Sequence, residues 1–254
     1  MPVAITREVS AGLANCELTH LRRQTIDVAL ARAQHRDYER ALAAAGCRVE
    51  RLQSGPDVPD SVFVEDIAVA FDELGVVTRP GAESRRAETP AVAEALGRYR
   101  PLHWIEPPGT IDGGDVLVVG RRVFVGRSSR TNADAIAEIG RVLTPHGYMV
   151  CDVEVRGCLH LKSAATALGD RLLLVNPAWI ATEVFSGFDL VCVDAREPMA
   201  ANALRIGETV IYPAAFPRTA DRIAARGLRL SIIDASELAK AEGAVTCCSI
   251  LLTE

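Results

Sequence analysis

Aromatic side chains make up only 5% of this 254-residue chain, and lysine is nearly absent. Subtracting its two lysines, Lys162 and Lys240, from 28 basic residues leaves 26 arginines. With so few rings, the core must rest on Val, Leu, Ile and Ala. No basic tract follows a phosphate backbone, so the sequence offers nothing to nucleic acid. No apolar run reaches membrane-spanning length, and MPVAITREVS is no signal peptide, so neither a membrane partner nor export is expected. Seven cysteines are present, an odd number, and none has zinc-site spacing with another cysteine or histidine. The expectation is a reduced, cytoplasmic protein without disulfides, metal or cofactor. A net charge of −5 is mildly acidic and suits a cationic ligand. The length fits a single domain, 1–254, of closed, repetitive or α/β architecture.

What the chain does have is a repeat. SVFVEDIAVAFDELGVVTRPG (61–81), TIDGGDVLVVGRRVFVGRS (110–128), HLKSAATALGDRLLLVNP (160–177) and NALRIGETVIYP (202–213) each place a tight turn between two β-rich runs. A fifth first strand, VTCCSILL (245–252), lacks a partner downstream, and PVAIT (2–6) is the candidate to supply it. Asp66, Asp115, His160, Asn202 and Cys247 hold comparable places, separated by 49, 45, 42 and 45 residues. Such a period implies blades or a ring built from one supersecondary unit. Helical patterns fall at 25–46, with Ile26, Leu30, Ala33, Tyr38, Ala41 and Leu42 on one face, at 130–147 with Thr131 as N-cap, and at 218–227. The fold class is therefore α/β: about five strand–turn–strand–helix–strand units in a ring.

In such a ring the same end of each first strand points at the axis. Glu65, Asp66, Asp112, Asp115, His160, Lys162, Asn202 and Cys247 collect there. A cysteine and a histidine from distant parts of the chain form a nucleophile–base arrangement. Carboxylates beside a thiol oppose its ionisation unless a cation lies between them. A guanidinium is that cation, with a planar fork of donors that matches paired carboxylates. The set points to substitution at a guanidinium carbon.

The other candidates have plainer readings. Cys16, Cys47, Cys151, Cys158 and Cys192 read as apolar filler. Alternation along VTCCSILL puts Cys247 and Cys248 on opposite faces, leaving Cys248 in the core. His20, His35, His103 and His146 read as surface or cap residues. Arg85 and Arg130 follow corresponding second strands and are candidates to clamp a carboxylate.

At these residues the chain resembles the dimethylarginine dimethylaminohydrolase family of the guanidino-group-modifying, or pentein, superfamily. The resemblance rests on DSVFVED (60–66), TRPGAESRR (78–86), PGTIDGGDVL (108–117), GRSSRTN (126–132), LHLKS (159–163), AANAL (200–204), YPAAFPRT (212–219) and VTCCS (245–249), in order along nearly the whole chain. It implies a five-bladed β/α propeller with pseudo-fivefold symmetry. It also implies cofactor-free hydrolysis of Nω-methylated arginine to citrulline and an alkylamine. The nucleophile would be Cys247, the general acid and base His160, and the acid orienting that imidazole Asp112. Glu65 and Asp66 would bind substrate, with Asp66 on the guanidinium, Phe63 packed along it and Asp60 at the amino-acid end. Arg85 and Arg130 would clamp the carboxylate, Leu13 would contribute from an N-terminal lid, and Ala241 would accept through its carbonyl. A homodimer is the assembly the resemblance implies. The alternatives are an arginine deiminase-type or amidino-transferring relative, a non-catalytic methylarginine binder, and a metal-binding protein using Cys247, Cys248 and His160.

Overall fold

The computed structural model describes residues 1–55 and 57–252. Among the described residues the strands form five separate three-stranded sheets, none closed on itself. Each sheet is an antiparallel hairpin plus a third strand that returns parallel to the hairpin's second. The second sheet is typical: Ala68–Ala70 pairs with Gly75–Val77, which pairs with Leu102–Trp104. A parallel return needs a long crossover. Helices Val28–Ala44, Thr89–Gly97, Ala133–Leu143 and Pro217–Ala224 supply it in four units, and the short 3-10 turn Thr182–Phe185 stands there in the fourth. No helix among the described residues is long and apolar enough to cross a membrane.

The first sheet takes its hairpin from both ends of the chain. Ile250–Leu252 runs antiparallel to Val3–Arg7, in the register Val3–Leu252 and Ile5–Ile250. The N-terminal strand is thus the partner that the last unit lacked.

Apolar packing runs from sheet to sheet. One cluster joins the first and second sheets through Ile5 and Ala68, and another joins the second and third through Val76 and Val123. Leu117 with Leu173, and Leu174 with Val210, continue the series. Ile211 and Ala4 bring it back from the fifth sheet to the first. Hydrogen bonds follow the same circuit. Asp66 Oδ1 accepts from Gly114 N (3.0 Å), Asp115 Oδ1 from Leu161 N (2.8 Å) and Asn202 Oδ1 from Thr246 N (3.0 Å). Asn202 Nδ2 donates to Lys162 O (3.0 Å), and Glu65 N donates to Cys247 O (3.1 Å). Three of the five positions aligned in the sequence therefore do one job: a side-chain oxygen holds the next unit's backbone.

Several local expectations change. VTCC is a turn, and the strand begins only at Ile250. Helix Ala133–Leu143 is capped by Asn132, whose side chain accepts from Ala135 N; Thr131 instead donates to Asp115. The buried face of Val28–Ala44 is Ala31, Gln34, His35, Tyr38, Glu39, Ala41 and Leu42, while Leu30 is exposed. The helix is turned because Glu39 must meet Thr6 and Arg51.

His35 is consequently a core residue, with Nδ1 3.7 Å from Glu39 and Nε2 without a partner. Burial pushes its pKa down to about 4, against the opposing pull of Glu39. A depressed histidine leaves stability unaffected above the unfolded pKa of about 6.5 and lowers it as pH falls towards 4. Asp60 and Asp115, both raised to about 6 by burial, act in the opposite sense over that range. The test is therefore a difference. Urea unfolding of His35→Phe against the parent should show the variant's relative stability growing by up to about 3 kcal/mol between pH 7 and pH 4. A constant difference across that range would exclude a neutral buried imidazole.

Candidate active site

The hairpin entries converge on a narrow cavity with about 20 Å³ of free volume. Nine of the eleven candidate residues line it: Asp60, Phe63, Asp66, Arg85, Asp112, Arg130, His160, Ala241 and Cys247. Glu17, Leu159, Glu242 and Gly243 complete the lining.

Cys247 comes from the turn before the last strand. That turn, with Cys247 N donating to Ala244 O, presents the Cys247 side chain to the cavity and packs Cys248 into the apolar cluster. The two thiols are separated by turn geometry rather than by strand alternation. Burial, then the charges of Glu65 and Asp66, push the Cys247 thiol far up, so it is neutral in the empty site.

His160 caps the short helix Leu161–Ala164 in an extended conformation. Its Nε2 lies 3.1 Å from Asp112 Oδ2 and its Nδ1 3.8 Å from Asp66 Oδ1. Burial alone would depress this imidazole. Asp66 and Asp112 overcome it and raise the pKa to about 9, so the ring is an imidazolium at neutral pH. Asp112 is fully buried and held by Gly81 N at 2.9 Å.

Asp66 is buried, which opposes its charge, but His160 and Arg85 hold its carboxyl below the usual range. Asp60 accepts from Glu17 N through both oxygens. Phe63 leans on Gly243, where a Cβ would fall 2.1 Å from the ring. Only glycine permits that contact.

Two candidates lie elsewhere, and a third is engaged differently. Leu13 is buried in an apolar cluster and does not line the cavity. Glu65 pairs with Lys162 at 2.5 Å and accepts from Thr246 at 2.8 Å. A buried carboxylate needs such partners, and this one lines a second, roomier cavity of about 560 Å³ bounded by the first strands of all five sheets. Arg85 reaches the active cavity but is not a free clamp. It donates to Asp66 at 2.6 Å, to both oxygens of Glu88, and to the carbonyls of Asp60 and Phe63. A buried guanidinium must be paired, so it braces the wall. Arg130 is less committed, donating to Thr19 Oγ1 at 2.9 Å and standing 3.8 Å from Asp112. Asp115 and Asn202 stay outside the cavity as linkers between units. Asp66, Asp112 and His160 offer ligand atoms within 4.8 Å of one another, but the guanidinium on Asp66 and the bond between His160 and Asp112 already engage all three.

Comparison with known proteins matches residues 12–189 to a family model described as N,N dimethylarginine dimethylhydrolase, eukaryotic. An N(G),N(G)-dimethylarginine dimethylaminohydrolase of Streptomyces coelicolor is 40% identical over 252 residues, covering 99% of this chain and 97% of that one. The chain belongs to the dimethylarginine dimethylaminohydrolase family. Among solved members, the Pseudomonas aeruginosa enzyme, as a cysteine-to-serine mutant complexed with citrulline, superposes with a TM-score of 0.93 at 35% identity, covering 98% of both chains. A histidine-to-glycine family member, captured as an adduct with S-methyl-L-thiocitrulline, superposes equally well, again at 35% identity and 98% coverage of both chains.

Sequence reasoning missed Glu17, Leu159, Glu242 and Gly243. Glycine after a charged residue in AEGAV was a usable turn signal for the last two. Glu17 lies in a stretch without periodicity, where no pattern could have marked it.

Proposed function

We propose that this protein is a cysteine hydrolase that converts Nω-methylated L-arginine and water to L-citrulline and methylamine or dimethylamine. Its 254 residues act as one catalytic domain, a five-bladed β/α propeller, a reading supported by the circuit of sheet-to-sheet packing and hydrogen bonds. One observation carries the function: Cys247, His160 and Asp66, from three different units, line one narrow cavity. The citrulline and thiocitrulline complexes of the relatives support it.

Asp66, braced by Arg85, holds the substrate guanidinium, and Arg130 faces its carboxylate. The bound cation offsets Glu65 and Asp66, so the Cys247 proton leaves to solvent once substrate is in place. The thiolate adds to the guanidinium carbon. The imidazolium of His160 gives its proton to the alkylated nitrogen, the C–N bond breaks, and the amine leaves. A cationic S-alkylthiouronium remains on Cys247. Neutral His160 then takes a proton from water, and the hydroxide adds to the same carbon. The C–S bond breaks, the thiolate returns, and the oxygen's proton is lost to solvent as citrulline forms. One imidazole serves as acid and then as base.

In the free enzyme the acid of the first step is present until the pH reaches about 9, which sets the alkaline limit of kcat/KM. Asp112→Asn removes a charge that raises this pKa. The limit should fall by roughly one pH unit or more, with kcat reduced throughout. A pH profile of kcat/KM checks it, and an unmoved limit would assign the limb to another group. The function itself is tested by incubating the reduced protein with asymmetric dimethylarginine and, separately, with arginine. Equal amounts of citrulline and dimethylamine from the first support the hydrolase. Citrulline and ammonia from arginine alone would make it a deiminase.

A further inference from the structure

With about 20 Å³ of free volume the cavity is too small for any amino acid, so part of its wall must move for a ligand to fit. Residues 17–25 run from the cavity wall, where Glu17 lines it, without regular structure and are mostly exposed. Their hold on the body is concentrated at one side chain. The carboxylate of Glu242 accepts from three consecutive backbone amides, Thr19 (2.9 Å), His20 (2.6 Å) and Leu21 (2.5 Å). The other ties are single bonds: Glu17 N to Asp60, Ser84 to Glu17, Arg130 to Thr19, Lys240 to Thr25 O, and Arg23 to the carbonyls of Ala14 and Cys16.

The backbone at Glu242 makes the same point independently. Its φ is +59°, the one positive value at a non-glycine residue among the described residues. A left-handed glutamate costs about 1 kcal/mol or more that glycine would not. Gly243 next to it cannot take over that conformation's side chain, because its own Cβ position is filled by Phe63. A strained, half-buried glutamate at the cavity rim, aimed at three amides, is a device rather than a filler.

We propose that Glu242 is the latch of this lid: its carboxylate holds residues 19–21 down over the cavity, and its release admits the substrate. The inference deepens the proposed function, since the gated ligand is the methylated arginine. Its test needs no turnover. Glu242→Gly suits the left-handed backbone and removes the carboxylate. Glu242→Asn keeps a side chain that tolerates this backbone and removes the charge.

Amide hydrogen exchange at Thr19, His20 and Leu21 should speed up at least roughly tenfold in both variants, since one charge-assisted hydrogen bond carries that much. Amides of the Val3–Arg7 strand should be unchanged. Alkylation of Cys247 by iodoacetamide, followed by peptide mass spectrometry, should accelerate by a similar factor, with exposed Cys192 as the internal reference. Rates within twofold of the parent in either assay overturn the latch. Accelerated exchange and alkylation in a protein that hydrolyses no methylarginine would leave the latch standing and sink the hydrolase reading instead.

Discussion

Cys247→Ser is expected to lower kcat for methylated arginine by at least about four orders of magnitude, while Cys248→Ser keeps it within about threefold. The two thiols are adjacent in sequence and both are buried, yet only Cys247 lines the cavity. A serine hydroxyl is far less acidic than a thiol, and this site, with Glu65 and Asp66 close by, already opposes an anion at position 247. The substrate cation offsets that for sulfur and falls short for oxygen. Cys248 contacts Ala244 O through its thiol at 3.5 Å, an acceptor that a serine hydroxyl also reaches. Its substitution should therefore cost about 1–2 kcal/mol of stability and little else. Citrulline formation by the two variants, measured beside their thermal unfolding, decides the point. Full activity in a folded Cys247→Ser would remove the nucleophile assignment.

The repeat that frames this site was legible because hairpins write themselves locally. Each turn sits between two short β-rich runs, and the gaps between units show without reference to distant contacts. The closing partnership of the chain ends was legible for the same reason, since the last strand visibly lacked a mate. The roles within the repeat were not. Asp115 and Asn202 align with Asp66 and Cys247 in spacing, but spacing says nothing of whether a side chain faces the cavity or the next unit's backbone. Asp115 takes hydroxyls from Ser128 and Thr131 and an amide from Leu161, a set drawn from two units.

The site residues divide along the same line. Those in contiguous blocks, such as Asp60, Phe63 and Asp66 or Asp112 and His160, come together as the sequence suggested. Glu65 and Arg85 stand in such blocks too, but the charge of Glu65 is settled by Lys162 from another unit, and that of Arg85 by Asp66 together with Glu88 one turn along its own helix. Leu13 belongs to a segment with no periodicity, and its burial in the cluster that also holds Val62 and Phe63 is purely tertiary. His35 failed for a related reason. An apolar stripe on helix Val28–Ala44 gave one rotation, and the buried polar set of Glu39, Thr6 and Arg51 imposed another.

Gly114→Ala should displace the two side chains on which the proposed chemistry most depends. A Cβ there would lie 2.6 Å from His160 Nδ1 and 2.7 Å from Asp66 Oδ1. Neither neighbour is free to yield. His160 is tied to Asp112 through its other nitrogen, and Asp66 is held by Arg85. The Gly114 amide itself donates to Asp66 at 3.0 Å, so pushing the carboxylate away also breaks a link between the second and third units. A displacement of about 1 Å at reacting groups costs about 100-fold in rate. With the imidazole and the guanidinium anchor both moved, kcat/KM should fall at least that far, through kcat for His160 and through KM for Asp66. Gly140→Ala is the matched control. It adds the same methyl inside helix Ala133–Leu143, where nothing lies within 4 Å, and should stabilise the protein by about 0.5–1 kcal/mol with activity unchanged. Comparable activity in the two variants would mean that the cavity tolerates a shift of His160 and Asp66, and that the chemistry does not depend on the close approach of that backbone to both side chains.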